Sequence, residues 1–210
     1  EFNTPKGTPP FDLIKKEDYK PAFVKGIEQQ TKEIELIVNN RAKPSFENTV
    51  VALDESGEIL RRVSAVFGGV RGAKSDPDIQ KIAEETSPLL SEHNDNIYLN
   101  EKLFARIKQV YADSVKTNRT TEQKRLVEKY YKAFVRSGID LDKAKKDRLR
   151  EINKELSMLS LNFGKNLLAE TNNYQLVIED KKDLSGLPAD VISVAAETAK
   201  SKGLSGKWVF

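Results

Sequence analysis

The sequence predicts a mainly α protein: a bundle-like arrangement of several helices, with a short two-strand element near the C-terminal end. Three observations lead to this prediction. The 210 residues are 38% hydrophobic and 32% charged, with 11 Gly and 8 Pro, a mixture typical of folded helical domains. Apolar residues recur every three or four positions over most of the chain, as on one face of a helix. After residue 173 the period changes to two, which indicates a strand.

The first predicted helix follows an extended, Pro-rich lead at residues 4–10 and a short segment at residues 11–18. Pro21 is expected just inside this helix, where the missing N–H of proline has no hydrogen bond to lose. Asn39-Asn40 and Pro44 are expected to end it. Its apolar face carries Phe23, Ile27, Gln30, Ile34 and Val38.

The second predicted helix starts at Ser45, a favourable N-cap. It is expected to run through Gly57, where glycine costs roughly 1 kcal/mol relative to alanine, so a close helix contact is the expected reason for this residue. Gly68-Gly69 and Gly72 are expected to end or loosen the helix. Its apolar face carries Val50, Leu53, Gly57, Leu60, Val63 and Phe67.

Capping signals mark the next three helices. Asp76-Pro77 combines an N-cap with proline at the first helical position and opens the third helix, in which Pro88 is expected to produce a kink. Asn100 caps the fourth helix. The sequence at residues 120–123, Thr-x-x-Gln, is a capping box for the fifth helix, and Gly138 is expected to stop it.

The longest predicted helix starts at Asp140 or Asp142 and extends to about Asn172. At nearly 30 residues it is long for a globular protein, and such a helix normally forms the spine of a bundle or one wall of a larger body. Its apolar stripe is interpreted as core or interface rather than as a cofactor site. The stripe consists of Leu149, Ile152, Leu156, Leu159, Phe163 and Leu167.

Beyond this helix, alternation at residues 174–179 predicts a strand, followed by a turn-rich stretch at residues 181–188. An Ala-rich helix is predicted at residues 189–202, ended by Gly203. Residues 206–210 open a second apolar strand.

We therefore predict two parts, a helical N-terminal domain at residues 1–172 and a strand–helix–strand segment at residues 173–210. An apolar strand needs neighbours at its edges, and native chain ends are usually polar. The sequence is therefore expected to be the beginning of a longer protein, with the second part leading into a further region.

The charge pattern does not favour a nucleic-acid partner. The net charge is +3 from 35 basic and 32 acidic residues, with the two signs interspersed along the chain, whereas nucleic-acid-binding domains usually concentrate positive charge on one face. A solvated helix face is the preferred interpretation of the densest basic run, and a weak nucleic-acid patch is the alternative. The run contains Lys143, Lys145, Lys146, Arg148 and Arg150.

No apolar run is long enough to span a bilayer, and the first residues lack the features of a signal peptide. We therefore expect a cytoplasmic protein without a membrane partner. The chain has no cysteine, which excludes disulfides, thiol nucleophiles and thiolate metal sites.

His93 is the single histidine of the chain and follows the apolar spacing of the third helix, between Leu89 and Ile97. We interpret it as a hydrogen-bonded or half-buried histidine. A protein zinc site normally needs three or four ligands from Cys, His and carboxylates. Ser91 and Asp95 flank His93, but helical residues two positions apart do not face each other. The sequence therefore predicts no catalytic, cofactor-binding or metal-binding residue and no cofactor in this chain.

Other candidate motifs have structural interpretations. The glycine-rich residues 68–72 lack the Gly-Lys-Ser/Thr ending and the preceding strand of a phosphate-binding loop. Three carboxylate groupings are not interpreted as acid–base pairs: the Asp pair is interpreted as helix capping, and Glu151 with Glu155 as surface ion pairing. These groupings are Glu84 with Glu85, Asp140 with Asp142, and Glu151 with Glu155.

A series of short strings carries a family resemblance over essentially the whole chain. The strings are Pro9-Pro10-Phe11-Asp12-x-Ile14, Tyr19-x-Pro21-Ala22-Phe23, Pro44-Ser45-Phe46-Glu47-Asn48-Thr49-Val50, Leu99-Asn100-x-x-Leu103-Phe104, Phe134-Val135-Arg136-Ser137-Gly138, Leu156-Ser157, Phe163-x-x-Asn166-Leu167 and Gly186-Leu187-Pro188. In this order they resemble the N-terminal region of the thimet oligopeptidase/neurolysin family of zinc metallopeptidases. Within that family they are most similar to the bacterial peptidyl-dipeptidases, or dipeptidyl carboxypeptidases, with oligopeptidase A as the near alternative.

The resemblance implies an almost wholly helical, clam-shaped parent with a deep channel between its N-terminal and C-terminal parts. In this family an H-E-x-x-H helix and a later Glu hold zinc, and the first Glu activates the metal-bound water. The present sequence has no H-E-x-x-H. The resemblance therefore implies a non-catalytic fragment that forms one wall of the channel, with zinc in the full-length parent.

The partners implied by the resemblance are the C-terminal catalytic domain of the same protein and unfolded oligopeptides, from which the parent releases C-terminal dipeptides. The alternative left open by the sequence is a stand-alone helical protein-interaction module, whose long apolar stripe would bind another helix.

Overall fold

The computed structural model describes residues 4–114 and 118–210, and the predicted fold class is confirmed: the described chain is mainly helical with one two-stranded sheet. Residues 1–3, part of the start predicted to carry no signal peptide, lie outside the described residues. Strands β1 (Val177–Ile178) and β2 (Trp208–Val209) form the sheet. The helices are α1 (Lys16–Val38), α2 (Ala52–Glu55), α3 (Glu58–Ala73), α4 (Pro77–Tyr98), α5 (Glu101–Asp113), α6 (Thr121–Arg136), α7 (Lys143–Asn173) and α8 (Ala189–Ser201).

Polar side chains fix the starts of three helices where the sequence predicts them. The carboxylate of Asp76 accepts two hydrogen bonds of 3.1 Å from backbone N–H groups in the first turn of α4. Asn100 accepts one of 3.0 Å in the first turn of α5. Thr120 and Gln123 form a reciprocal capping box at the start of α6. These bonds satisfy N–H groups that have no partner within their own helix. The three predicted helix starts are confirmed.

The second predicted helix is interrupted at Gly57, which corrects the prediction of a continuous helix. Helix α2 ends at Glu55, Ser56 is extended, and Gly57 has a φ of 71°. This left-handed backbone conformation is one that glycine adopts without a steric penalty. A Cβ atom at Gly57 would also lie 2.4 Å from the side-chain amide of Gln30 in α1. The expected close contact therefore exists, but it occurs at a turn between two helices.

One other local prediction, on Pro21, is wrong, and the prediction on the glycines of α3 holds only in part. Helix α1 begins at Lys16 and contains Pro21 within it, so the proline removes the N–H that would bond the carbonyl of Glu17. Gly68 and Gly69 lie inside α3, and the helix ends at Ala73, directly after Gly72, so the expected helix end is found at the last of these three glycines. A Cβ atom at either Gly68 or Gly69 would meet no atom within 4 Å beyond its chain neighbours and the backbone of its own helix. These glycines are therefore tolerated on an open helix surface rather than required by the backbone.

Two clusters of buried apolar side chains hold the helices together. In the second cluster, Phe23 of α1 packs edge-to-face on Phe67 of α3, with ring centroids 5.4 Å apart, and Ile79 of α4 completes the contact region. The first cluster joins α5 and α6 to the π-helical turn Phe46–Val51 that precedes α2. Its fully buried members are Val50, Leu103, Ile107, Val110, Val127 and Phe134.

The chain divides into two compact units, and the boundary lies between Leu161 and Asn162, inside α7. The first unit contains α1 to α6 and the first part of α7. The second unit contains the rest of α7, the sheet and α8. The predicted domain boundary after residue 172 stays a prediction.

Within the second unit, β1 and β2 are antiparallel, with Val177 opposite Val209 and Ile178 opposite Trp208. The predicted two-strand element near the C-terminal end is confirmed, although each strand has two residues. Among the described residues, no helix is both long enough and apolar enough to cross a lipid bilayer.

Candidate functional site

His93 is buried in α4, and its Nε2 atom lies 2.8 Å from Oε1 of Gln30 in α1. Burial lowers the pKa of His93 below its ordinary value of 6.5, because a charged imidazolium at this position would lack the hydration that it has in water. The neighbouring Asp95 bonds in another direction and accepts a hydrogen bond of 2.7 Å from Asn153 in α7. The hydrogen bond to Gln30 confirms the interpretation of His93 as a hydrogen-bonded or half-buried histidine.

Replacing His93 with Gln should reduce the loss of stability at acidic pH. Because the pKa is lowered in the folded state, the unfolded state binds more protons in this pH range. The stabilisation by neutral His93 is complete above the unfolded pKa and is lost as the pH falls through the folded pKa. We expect the wild type to lose more stability than His93→Gln between about pH 7.5 and about pH 5, on either side of the unfolded value. Urea unfolding of both proteins at the two pH values measures this difference. Equal losses of stability in the wild type and in His93→Gln would contradict a lowered pKa of His93.

His93 and Gln30 line a cleft of about 450 Å³ in the first unit, between α1, α3, α4 and α6. In this cleft the hydroxyl of Tyr130 donates a 2.7 Å hydrogen bond to Oδ1 of Asp54. Burial and the neighbouring carboxylate raise the pKa of Tyr130 well above its usual range. Arg61 donates to the backbone carbonyl of Ser56 near the end of α2. The cleft therefore contains the neutral phenol of Tyr130 bound to the carboxylate of Asp54. The guanidinium group of Arg61 is held by backbone carbonyl oxygens.

The sequence did not predict this cleft, because Asp54 and Tyr130 are 76 positions apart. The one available signal was the place of Tyr130 on the apolar face of its predicted helix, which favours burial without indicating a partner. A hydrogen-bond partner for a half-buried tyrosine hydroxyl is expected in general, but the identity of that partner depends on tertiary packing.

Across residues 4–114 and 118–210, no group of three or more His, Asp or Glu side chains is arranged to hold a metal ion. Three residues of the carboxylate groupings form caps or ion pairs. Asp142 accepts a 2.9 Å hydrogen bond from a backbone N–H in the first turn of α7. Glu151 pairs with Arg148 at 2.7 Å, and Glu85 pairs with Lys20 at 2.9 Å. These interactions confirm the capping interpretation for Asp142 and the surface-pairing interpretation for Glu151.

The basic run at the start of α7 is not a uniformly solvated face, which corrects the prediction. Lys146 is buried, and its Nζ atom lies 2.6 Å from Oε1 of Glu101 in α5. Arg150 donates a 2.8 Å hydrogen bond to Oδ1 of Asn96 in α4. Lys143 remains exposed. Two of these cations therefore attach α7 to other helices, because their side chains project toward the body rather than outward.

The apolar stripe of α7 is largely exposed. Five of its residues, here called the α7 apolar row, are between 37% and 70% exposed. Their spacing of three or four positions places them on one face of the helix. Of the two predicted interpretations, core and interface, this exposure favours interface, because contiguous exposed apolar side chains usually mark a surface that another structure covers. The α7 apolar row consists of Ile152, Leu156, Leu159, Phe163 and Leu167.

Known proteins similar to this chain are peptidases. Dipeptidyl carboxypeptidase of Escherichia coli (strain K12) is 38% identical over 201 residues, which cover 96% of this chain and 30% of the relative. The resemblance to the thimet oligopeptidase family is confirmed. Oligopeptidase A of the same organism is 29% identical over 203 residues, covering 97% of this chain and 30% of the relative. Thimet-like oligopeptidase of Dictyostelium discoideum is 27% identical over 184 residues, which cover 84% of this chain and 26% of the relative.

The chain spans about 30% of the length of the curated relatives it matches, as an N-terminal region. No protein-family model matches it.

The strings that carry the family resemblance have structural roles in this chain. In the string at residues 44–50, Phe46, Thr49 and Val50 are buried in the π-helical turn. Asn48 caps this turn and also accepts a 2.9 Å hydrogen bond from Nη2 of Arg106 in α5. These positions therefore belong to the helical scaffold of this chain.

Proposed function

We propose that this chain is the non-catalytic N-terminal part of a zinc-dependent oligopeptidase that releases dipeptides from the C-terminus of peptides. The observation that carries the proposal is the similarity of 96% of the chain to dipeptidyl carboxypeptidase, of which it spans 30%. The sequence contains no H-E-x-x-H and one histidine. The zinc ligands and the catalytic Glu would therefore be supplied by the catalytic part of the longer protein.

In this proposal the chain forms one wall of a channel for unfolded oligopeptides, and the α7 apolar row packs against the catalytic part of the same protein. Support comes from the exposure of the row, since fully burying one Leu or Phe side chain stabilises a protein by about 1.5–3 kcal/mol. A stand-alone interaction module would use the same row for a helix of another protein.

Side-by-side cleavage assays test the proposal. We expect the longer gene product to release dipeptides from a peptide in a chelator-sensitive reaction. The 210-residue chain alone should be inactive and should bind no stoichiometric zinc in elemental analysis. Chelator-inhibited cleavage by the chain alone, or a gene that encodes no H-E-x-x-H after this region, would refute it.

The packing role of α7 is tested by one substitution in two proteins. Leu159→Asp should lower the unfolding free energy of the longer product by about 2 kcal/mol or more, since a charge would replace a buried apolar side chain. It should change the isolated chain little, because Leu159 is exposed there. Leu36→Asp, at an exposed apolar position of α1, is the matched control. Equal effects of Leu159→Asp in the two proteins would exclude this docking surface.

A further inference from the structure

A second cleft, of about 460 Å³, lies within the first unit between α4, the C-terminal end of α6 and α7. The sequence did not predict it, and of its lining the proposed peptidase function uses only Leu156, a member of the α7 apolar row. Its volume falls within the range of roughly 300–1,000 Å³ that is typical of ligand sites. Because three helices contribute to its lining, side chains distant in sequence converge on one space.

A buried carboxylate forms one part of this cleft. Asp95 is 5% exposed, and its Oδ1 atom accepts a 2.7 Å hydrogen bond from Asn153. Arg150 approaches the backbone carbonyl of Asp95, at 3.5 Å, and gives its shorter bond to Asn96. Asp95 also lies in the last turns of α4, where the helix dipole favours a positive charge. Burial raises the pKa of Asp95. A cation of a ligand would therefore be stabilised at this carboxylate.

A guanidinium group forms another part of the lining. Arg136 is the last residue of α6, and it makes no hydrogen bond or ion pair within the described part of the chain. A guanidinium group presents several N–H donors that match the two oxygens of a carboxylate.

The remaining lining matches the needs of an amide group. The hydroxyls of Ser91 and Ser160 can donate and accept hydrogen bonds, whereas the Ser157 hydroxyl donates to the Lys154 carbonyl and can accept one. The amide of Asn153, which donates to Asp95, keeps a second N–H donor and its oxygen acceptor. Leu149 and Leu156 add apolar surface for small side chains. A peptide bond requires both a donor and an acceptor, which this mixture provides.

We propose that the cleft binds a short free peptide such as a dipeptide, with its ammonium group at Asp95 and its carboxylate at Arg136. The site belongs to the first unit and requires no residue outside this chain. Its test measures binding without cleavage, so its failure is distinguishable from failure of the proposed peptidase function.

Calorimetric titration of the 210-residue chain with Ala-Ala tests the proposal. We expect saturable binding. N-acetyl-Ala-Ala, which lacks the ammonium group, and Ala-Ala amide, which lacks the carboxylate, should each bind about tenfold or more weakly, since charge-assisted hydrogen bonds are the stronger ones. Absence of saturable Ala-Ala binding, or equal binding of the three peptides, would overturn the proposal.

Variants assign the two charges. Asp95→Asn should weaken Ala-Ala about tenfold but leave N-acetyl-Ala-Ala unchanged, and Arg136→Gln should weaken Ala-Ala but not Ala-Ala amide. Arg148→Gln, an exposed α7 position outside the cleft, is the control and should change nothing. If Asp95→Asn fails to fold, the comparison of Ala-Ala with Ala-Ala amide on Arg136→Gln, a change at an exposed residue, tests the proposal. Equal weakening of free and blocked peptides by the variants would overturn the assignment.

Discussion

Phe134→Ala should lower the free energy of unfolding by about 3–5 kcal/mol, the largest effect expected of a single substitution in this chain. The side chain of Phe134 is fully buried in the first cluster. Its ring centroid lies 5.1 Å from that of Tyr98 and 5.7 Å from that of Phe104. Removing the ring would lose its transfer free energy and leave a cavity between α4, α5 and α6.

The neighbouring Val135 provides the control, because its side chain is 39% exposed. Val135→Ala should change the free energy of unfolding by less than about 1 kcal/mol. Urea unfolding followed by far-UV circular dichroism measures both variants. Similar losses for the two substitutions would show that the first cluster does not carry the stability assigned to it.

Gly57→Ala should destabilise the chain by about 1–2 kcal/mol or more, since a residue with a Cβ atom is strained in the left-handed backbone conformation. The added methyl group would also displace the side chain of Gln30, which bonds both His93 and Ser56. The loss should therefore include part of the polar contact between α1 and α4.

Gly68→Ala is the matched control and should act in the opposite direction. Gly68 lies within α3, and a Cβ atom there would meet no atom within 4 Å beyond its chain neighbours and the backbone of its own helix. Alanine is favoured over glycine in a helix by roughly 1 kcal/mol, so this variant should be more stable than the wild type. Two changes of the same sign and size would contradict the left-handed turn at Gly57.

Local signals account for the parts of the fold that the sequence predicts well. A cap such as Asp76 or Asn100 needs one short side chain and the next turn of backbone, so its effect is visible in the sequence. The interruption at Gly57 was not visible, because the apolar spacing continues through it from Leu53 to Leu60. Periodicity records which face is buried and does not record a change of helix axis.

The polar contacts depend on tertiary packing and were predicted less well. The burial of His93 follows from its spacing, but its partner Gln30 is 63 positions away. Lys146 belongs to the basic run that the sequence predicts to be solvent-exposed, yet it forms an ion pair with Glu101 of α5. Asp95 flanks His93 in the sequence, yet its hydrogen-bond partner is Asn153 of α7. In each case the pattern indicates which residues are polar but not which helix they face.

The placement of Trp208 has a consequence for spectroscopy. It is the single tryptophan of the chain and lies in β2, within the second unit. Intrinsic tryptophan fluorescence therefore reports on that unit, while most of the helical dichroism arises from the first. A denaturant titration recorded with both signals would show, through coincident or separate midpoints, whether the two units melt as one cooperative system.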